Sequence, residues 1–571
     1  MTNLLIHLTI EGYRIKFKST MDSNPFNKKG TFFAGFLILL IFALPVTAQT
    51  GLSLADVRTI IAQAVSKAVA LNKRVTVSVT DQEGNLLGTF VMAGSPSMTR
   101  IQSVGRAPLG LEGELVPSLF ASHSKAGTAG VFSTTANAFT TRTASFIIQE
   151  HFPPGVDNRP GGPLYGVQFS TLSCSDIAIA GLPLGLSGDP GGIPVYKNGM
   201  AVGGVGVEGD GIYTVDRDPN DNDQPFEEII AAAATRGFES PPAIRADNIL
   251  VEGIRLPFAN VGDPPSETVI PFASLPGFAV SLIRAAPPSD FVPAVFNGVP
   301  GQMSTRFPTT AGATLSVAEV QQILGDAAAI ANITRAAIRQ PIGSNARVTI
   351  AVVDINGKTV GIFRQLDAPV FGFDVAVQKA RTSVFFTRPD SGVKLQAAGF
   401  GNYVARASAD GINLTGGIAF SDRALGFLHR PLFPDGINGT DAGPFSALLA
   451  DWSPFNVGLQ LDLVKGALLN PPMNCIKFAR SKRSMLPPCP CTNIPEIPNG
   501  IQIFAGATPI YRGSILLGAI GVSGDGIDQD DFIAAAGANS FAPPMELRSD
   551  RIFVRGVRLP FLKFPARPTL P

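Results

Sequence analysis

One stretch of the chain constrains its fold more than any other, because it occurs twice. Residues 516–537 read LLGAIGVSGDGIDQDDFIAAAG, an apolar run with glycines, a glycine-rich break and an alanine-rich run. This order predicts a buried strand, a tight turn and a helix whose first turn carries acidic side chains, as the helix dipole favours. Residues 201–238 repeat it, with AVGGVGVEGDGI followed later by EEIIAAAATRGF. The chain therefore contains two copies of one domain.

Earlier parts of each copy repeat as well. Each opens with a serine-capped amphipathic helix, at LSLADV from Leu52 and at LSVAEV from Leu315. Two alternating strands about a polar turn follow at residues 75–90 and 348–363, which predicts a β-hairpin. The order of elements indicates a sheet covered by helices in each copy.

The middle and the end of each copy complete the pattern. A Lys-Ala segment at Lys125 and at Lys379 predicts a helix, and the copies end in the tags GIRLPF and GVRLPF. The repeats predict an upstream extension with a signal peptide (1–48), copy one (49–261), a proline-rich linker (262–312) and copy two (313–571), with a long insert at about 390–498.

The N-terminal part predicts export. Lys28 and Lys29 precede an apolar run, residues 32–44, and small residues follow up to Ala48. This pattern is typical of a secretory signal peptide cleaved after Ala48, with an uncleaved anchor as the alternative. We therefore expect a periplasmic or extracellular protein. No later stretch is long and apolar enough to span a bilayer, so we expect no stable membrane span after cleavage.

Charge and cysteine content restrict the partners. The chain has 45 Lys and Arg against 44 Asp and Glu, so it lacks the basic character of a nucleic-acid-binding protein. The spacing of its cysteines matches no common zinc or haem-attachment motif, and we expect disulfides or structural thiols. The cysteines are Cys174, Cys475, Cys489 and Cys491.

The motifs together resemble the GlcG/HbpS-type haem-binding family. The resemblance rests on LSxAxV, on the hairpin VTxxVxDxxGxxxGxF, on FDVAVQKARTSVFF at residues 373–386 and on the ending at residues 518–537. It covers most of copy two outside the insert, and copy one more loosely. It implies an α+β fold of two profilin-like domains, each an antiparallel sheet of about five strands covered by helices. It also implies that the copies pack as an intramolecular pseudo-dimer, with a homo-oligomer as a further possibility.

The same resemblance implies haem as the ligand. Haem iron is usually bound by His, Cys, Met or Tyr, and His123, just before the Lys125 segment, is the best placed histidine. The cofactor-binding candidates are His123, Lys125, Lys379 and Arg381, and weaker axial candidates are His151, His429, Tyr165 and Tyr403. We expect a non-catalytic binding protein for haem or another small ligand. The alternative is a structural or protein-interaction module without a small-molecule ligand.

The sequence gives no pattern for an enzyme. It contains no Gly-x-Ser-x-Gly elbow and no His-Glu-x-x-His motif, and its four histidines are too few for a triad in each copy. We therefore expect no catalytic residues.

One segment of copy one is a candidate calcium loop. Oxygen-bearing side chains recur in residues 216–227 at the spacing of an EF-hand-like loop. The candidate ligands are Asp216, Asp218, Asn220, Asn222, Gln224 and Glu227. Asp221 stands where such loops need glycine for a sharp turn, so a solvated acidic turn is the alternative.

Overall fold

The computed structural model describes residues 9–10, 13–14, 51–281, 283–470 and 490–569. The chain divides into a unit of residues 1–48 and a unit of residues 49–571. In the first unit, β1 (Thr9–Ile10) and β2 (Tyr13–Arg14) form an antiparallel pair. The predicted signal-peptide run at residues 32–44 lies outside the described residues. The second unit contains both copies.

Copy one starts with the predicted capped helix. The Ser53 hydroxyl accepts from the Asp56 backbone N–H, and the Asp56 carboxylate accepts from the Ser53 N–H at 2.8 Å, which is a capping box. The helices of this copy are α1 (Leu54–Ala70), α2 (Ser118–Phe132), α3 (Thr141–Ile147) and α4 (Phe226–Ala234). Its strands are β3 (Thr76–Asp81), β4 (Leu86–Met92), β5 (Met98–Ile101), β6 (Leu115–Pro117), β7 (Gly192–Lys197), β8 (Met200–Glu208), β9 (Ile212–Tyr213), β10 (Leu250–Val251) and β11 (Ile254–Arg255).

The segment predicted to be a linker supplies edge strands. Its strands are β12 (Gly277–Ala279), β13 (Phe291–Phe296) and β14 (Val299–Ser304). β12 pairs antiparallel with β4, and β13 and β14 form a hairpin. The segment is therefore bound to both copies through backbone hydrogen bonds.

Copy two repeats the architecture. Ser316 and Glu319 form the capping box that begins its first helix. The helices are α5 (Val317–Ala331), α6 (Gly372–Thr387), α7 (Ser391–Ala397), α8 (Gly401–Ala409), α9 (Asp422–Leu428), α10 (Leu459–Leu469) and α11 (Ile527–Gly537). The strands are β15 (Thr349–Asp354), β16 (Thr359–Gln365), β17 (Ala507–Arg512), β18 (Ile515–Ser523), β19 (Phe553–Val554) and β20 (Val557–Arg558).

The main sheet of each copy is antiparallel, and copy one has a smaller sheet in the order β6-β5-β9. The strand order is β12-β4-β3-β8-β7 in copy one and β13-β14-β16-β15-β18-β17 in copy two. The registers match, since Val77 lies opposite Val207 and Ile350 lies opposite Val522. The predicted α+β class, with antiparallel sheets of about five strands and covering helices, is confirmed.

Glycines let a helix lie directly on each sheet. A Cβ at Gly206 of β8 would lie 2.2 Å from the carbonyl oxygen of Ser122 in α2. A Cβ at Gly521 of β18 would lie 2.0 Å from that of Ala376 in α6. Only glycine permits this approach of helix and strand backbones, which explains the glycine-rich pattern of the repeated strands.

The repeated end tags close a contact within each copy. The hydroxyl of Thr140, which caps α3, donates to the carbonyl oxygen of Phe258, and that of Ser421, which caps α9, donates to Phe561. The last residue of each tag thus holds the start of a helix that follows the central helix of its copy. The central helix is α2 in copy one and α6 in copy two.

Opposite faces of the sheets build separate cores. The face beneath α1 and α4 forms a core within copy one, and the face beneath α5 and α11 forms another within copy two. The faces beneath α2 and α6 share a third core that contains residues of both copies. In that core the rings of Phe132 and Phe371 lie 4.7 Å apart.

Polar and covalent bonds also join the copies. Arg381 of α6 pairs with Asp176 of copy one at 2.7 Å, and Asp374 accepts from the Thr171 backbone N–H at 2.6 Å. A disulfide links Cys174 to Cys491, with Cα atoms 5.1 Å apart. Cys475 and Cys489 lie outside the described residues.

Among the described residues, none of the helices is long and apolar enough to cross a bilayer.

The shared core predicts that separated copies still associate. Coexpressed fragments 49–286 and 287–571 should co-purify, because each alone would expose the apolar surface that the other covers. The test is size-exclusion chromatography of both fragments with Cys174→Ser, which removes the covalent link. Two folded, monomeric fragments that elute separately would contradict this packing.

Candidate functional site

A buried ionic arrangement recurs in both copies and fixes the helix after the glycine turn. In copy one, Lys125 of α2 lies 2.6 Å from Glu227, at the start of α4. In copy two, Lys379 of α6 lies 2.9 Å from Asp530 of α11. The next acidic residue along each helix pairs with an arginine, Arg142 with Glu228 and Arg423 with Asp531. These side chains are the Lys-Ala and acidic residues of the repeated motifs.

The copy-one lysine is enclosed by carboxylates. Lys125 is fully buried and lies 2.7 Å from Asp189 and 3.0 Å from Glu208, in addition to Glu227. Burial alone would lower the pKa of Lys125, but the three carboxylates raise it well above its usual value. The carboxylate oxygens lie within 4.8 Å of one another. The lysine ammonium is therefore the cation of this cluster.

The copy-two lysine has a less acidic environment. Phe504 stands where copy one has Asp189, and its ring centroid lies 4.4 Å from the Lys379 ammonium. The ammonium also donates to the Val522 carbonyl oxygen at 2.8 Å. Burial raises the pKa of Asp530 to about 7 despite Lys379. One carboxylate, one carbonyl and one aromatic face thus replace three carboxylates.

The predicted haem-binding residues do not share a cavity. Lys125 and Lys379 are held in the two clusters, and Arg381 donates to Gly357 and Asn499 besides pairing with copy one. His123 is 8% exposed on α2, and its Nε2 lies 3.5 Å from the Gly84 carbonyl oxygen. None of the four lines either cavity described below.

The weaker axial candidates are also held by the protein. His429 is fully buried, and its Nδ1 donates to the Leu425 carbonyl oxygen at 2.7 Å. His151 lies 2.7 Å from the Arg159 carbonyl oxygen. Tyr165 accepts from the Trp452 indole N–H, and Tyr403 donates to Asp462.

The structure does not support the predicted calcium loop, because several of its candidate ligands have other partners. Glu227, the predicted bidentate calcium ligand, points into the Lys125 cluster. Its carboxylate accepts hydrogen bonds from the backbone N–H groups of Gly209 and Asp210. Asp216 instead pairs with Arg142 at 2.6 Å. Asp218 accepts from the Asn220 N–H, a local turn contact that needs no ion, and Asn222 and Gln224 are exposed. Because Glu227 pairs with Lys125 and Asp216 pairs with Arg142, the candidate ligands do not point towards one common position.

A cavity of about 350 Å³ lies between the copies. Copy one contributes Phe132, Phe139 and Leu256, and copy two contributes Ile338 and Phe371. The glycine turn before α11 and the first residues of that helix also line it, including the lysine partner Asp530. The size and apolar lining are those of a small-molecule site.

The matching face of copy two is filled. Phe386 holds in α6 the place of Phe132 in α2, and its ring lies 5.2 Å from that of Phe445 in the insert. Phe445 also packs against His429, at 5.0 Å between centroids. The insert therefore covers in copy two the face that borders the cavity in copy one.

A second cavity, of about 420 Å³, adjoins the first. The two share Pro163, Glu252 and Ile527 in their linings. The second is more polar and is lined by four cations and three carboxylates, which are Arg423, Arg430, Arg558, Lys563, Glu252, Asp435 and Asp550. A mainly apolar space thus adjoins a charged one.

Sequence reasoning missed these cavity residues and the carboxylate partners of the lysines. Paired acidic residues at the same place in both copies, Glu227-Glu228 and Asp530-Asp531, were the available signal for the partners. The cavity has no such signal, because its walls come from both copies.

Comparison with known proteins supports the predicted family resemblance for part of the chain. Residues 324–425 match the family model described as haem degrading protein HbpS-like, which confirms the predicted resemblance of copy two. No curated protein matches the chain.

Several solved structures are similar to parts of the chain. A PduOC–haem complex is 21% identical, covers 33% of this chain and 95% of its own, and has a TM-score of 0.22. Klebsiella pneumoniae ORFY is 22% identical over 33% of this chain and 91% of its own, with a TM-score of 0.20. A double mutant of Streptomyces reticuli HbpS is 18% identical over 38% and 97%, with a TM-score of 0.18. These likenesses are too weak to carry a functional argument.

The lysine clusters predict a large loss of stability on neutralisation. Lys125→Met should lower the free energy of unfolding by about 3–5 kcal/mol, because it leaves buried carboxylates without a counter-ion. Lys197→Met is the control, since the partly exposed Lys197–Asp56 pair should contribute under about 1 kcal/mol. Denaturant unfolding measures both. Equal losses in the two variants would refute the role of the cluster.

The buried histidines predict acid sensitivity. Burial lowers the pKa of His429 to about 3, so below pH 6.5 the unfolded chain binds a proton that the folded chain excludes. Stability is therefore lost as the pH falls, by about 2 kcal/mol at pH 5 for this histidine. His429→Leu should remove that loss, and the free energies of unfolding of variant and wild type should converge or cross between pH 7 and pH 5. Parallel pH profiles would show that the histidine takes up its proton in the folded state.

Proposed function

We propose that this protein binds haem, without catalysis, in the cavity between its two copies. The observation that carries the proposal is the cavity of about 350 Å³, walled mainly by aromatic and aliphatic side chains and next to a charged space that contains four cations. The match of residues 324–425 to an HbpS-like haem degrading family supports haem as the ligand.

The lining fits the porphyrin better than it fits the iron. Phe132 and Phe371 offer aromatic contacts, and Leu256 offers an aliphatic one, for the faces of a ring. Among the described residues, neither cavity is lined by a histidine, cysteine, methionine or tyrosine, the usual axial ligands. These side chains would therefore hold the ring by its faces and edges, with no bond from this lining to the iron.

The repeated ionic pair sets the position of this site. Lys379 holds Asp530, and with it the first turn of α11, against the central helix of copy two. Residues 526–530 of that turn form part of the cavity wall. The cavity thus depends on the pair, although the lysine itself lines neither cavity.

Haemin titration of the full chain tests the proposal. The wild type should give a saturable change in the Soret band, and Ala337→Trp should weaken binding about tenfold or more, because the indole would occupy the cavity. Ala337 is exposed, so the larger side chain should be compatible with folding. Ala405→Trp, at an exposed position on α8, is the matched control and should bind as the wild type does.

Iron-free protoporphyrin separates this site from an iron-ligating one. It should bind within about threefold of haemin, since no residue of the lining bonds the iron, and His123→Ala should leave both affinities unchanged. Absence of saturable binding would reject the proposal and favour the protein-interaction module. A large preference for haemin that depends on His123 would place the site on α2 instead.

A further inference from the structure

Arg430 is a buried cation with unused hydrogen-bond donors. Only 8% of the residue is exposed, and its guanidinium carbon lies 4.4 Å from the ring centroid of Tyr165. Nε lies 3.6 Å from Asp435, and in the described structure neither Nε nor Nη1 has a hydrogen-bond acceptor. Buried donors left without an acceptor are costly and rare. This side chain lines the second cavity, so an anion there could reach it.

Two neighbouring cations of the second cavity are already paired, and the third, Arg558, is exposed. Arg423 lies 2.6 Å from Asp528, and Lys563 lies 2.9 Å from the same carboxylate. A Cβ at Gly161 would lie 2.9 Å from Nη1 of Arg430, so any larger residue at position 161 would press against the guanidinium. Arg430 has Asp435 as a carboxylate neighbour, but it is the buried cation of this cavity whose Nε and Nη1 donors lack an acceptor.

Copy one lacks an equivalent. Gln149 follows α3 at the place where Arg430 follows α9, and its amide donates to the carbonyl oxygens of Ser145 and Asp216. Its amide donors are thus used within the protein. The unsatisfied guanidinium is a feature of the cavity side of copy two and not a by-product of the repeated fold.

We propose that Arg430 binds the carboxylate groups of the ligand while the apolar cavity holds its ring. This inference rests on the proposed function and names the part of the ligand that the second cavity recognises. A planar guanidinium can donate two parallel hydrogen bonds to one carboxylate, and haem carries two carboxylates on one edge of an otherwise apolar ring. The shared lining residues Pro163, Glu252 and Ile527 make the two spaces adjacent, and the proposal has a single molecule span both.

Protoporphyrin IX and its dimethyl ester test this assignment, because they differ only in the charge and donor–acceptor chemistry of the carboxylates. The full-length wild type should bind the diacid about tenfold or more tightly than the diester, by fluorescence titration. In Arg430→Met the affinity for the diacid should fall towards that for the diester, which should stay within about twofold of its wild-type value. Arg430→Lys, which keeps the charge but not the fork, should retain part of the preference.

Arg512→Met is the control, since Arg512 pairs with Glu319 on the exposed surface and should leave both affinities unchanged. Equal binding of diacid and diester by the wild type would overturn this inference alone, as would an Arg430→Met variant that keeps the full preference. If Arg430→Met fails to fold, the wild-type ester comparison and Arg430→Lys still decide. Binding of neither porphyrin would overturn the proposed function and this inference together.

Discussion

A buried lysine on the central helix of each copy holds the rest of that copy in place. Lys125 and Lys379 each lie against the sheet and reach a carboxylate at the start of the last helix. Burying such charges is costly unless they are paired, so the pair fixes one arrangement of central helix, glycine turn and final helix. Removing one partner would leave a charge that no water can reach.

This constraint determines where the two copies can differ. Both copies have the buried lysine, its carboxylate partner and a second ion pair between an arginine and the next acidic residue. The residues around the lysine ammonium differ, with three carboxylates in copy one and one in copy two. The insert of copy two covers the face beyond Phe386, whereas the face beyond Phe132 stays open and becomes the cavity wall. The cavity of about 350 Å³ thus lies where unlike faces of the two copies meet.

Local features were predictable from sequence, and contacts between distant residues were not. The Ser53 cap, the hairpins and the glycine strands follow from short patterns, because each depends on neighbours in the chain or on one helix approaching one strand. The partner of Lys125 lies 102 residues away, and that of Lys379 lies 151 residues away. His123 was chosen by the family resemblance and its position beside Lys125, and the 216–227 segment by the spacing of its oxygen ligands. The packing of α2 and the pairing with Arg142 assign them other contacts.

A crystal structure of the full chain with protoporphyrin IX bound tests the central claim most directly. The account predicts ring density in the cavity between the copies, packed against the wall that Phe132 and Phe371 form, with a carboxylate at hydrogen-bond distance from Arg430. Ring density on an outer face of either sheet, or beside His123, with the cavity between the copies empty, would contradict it.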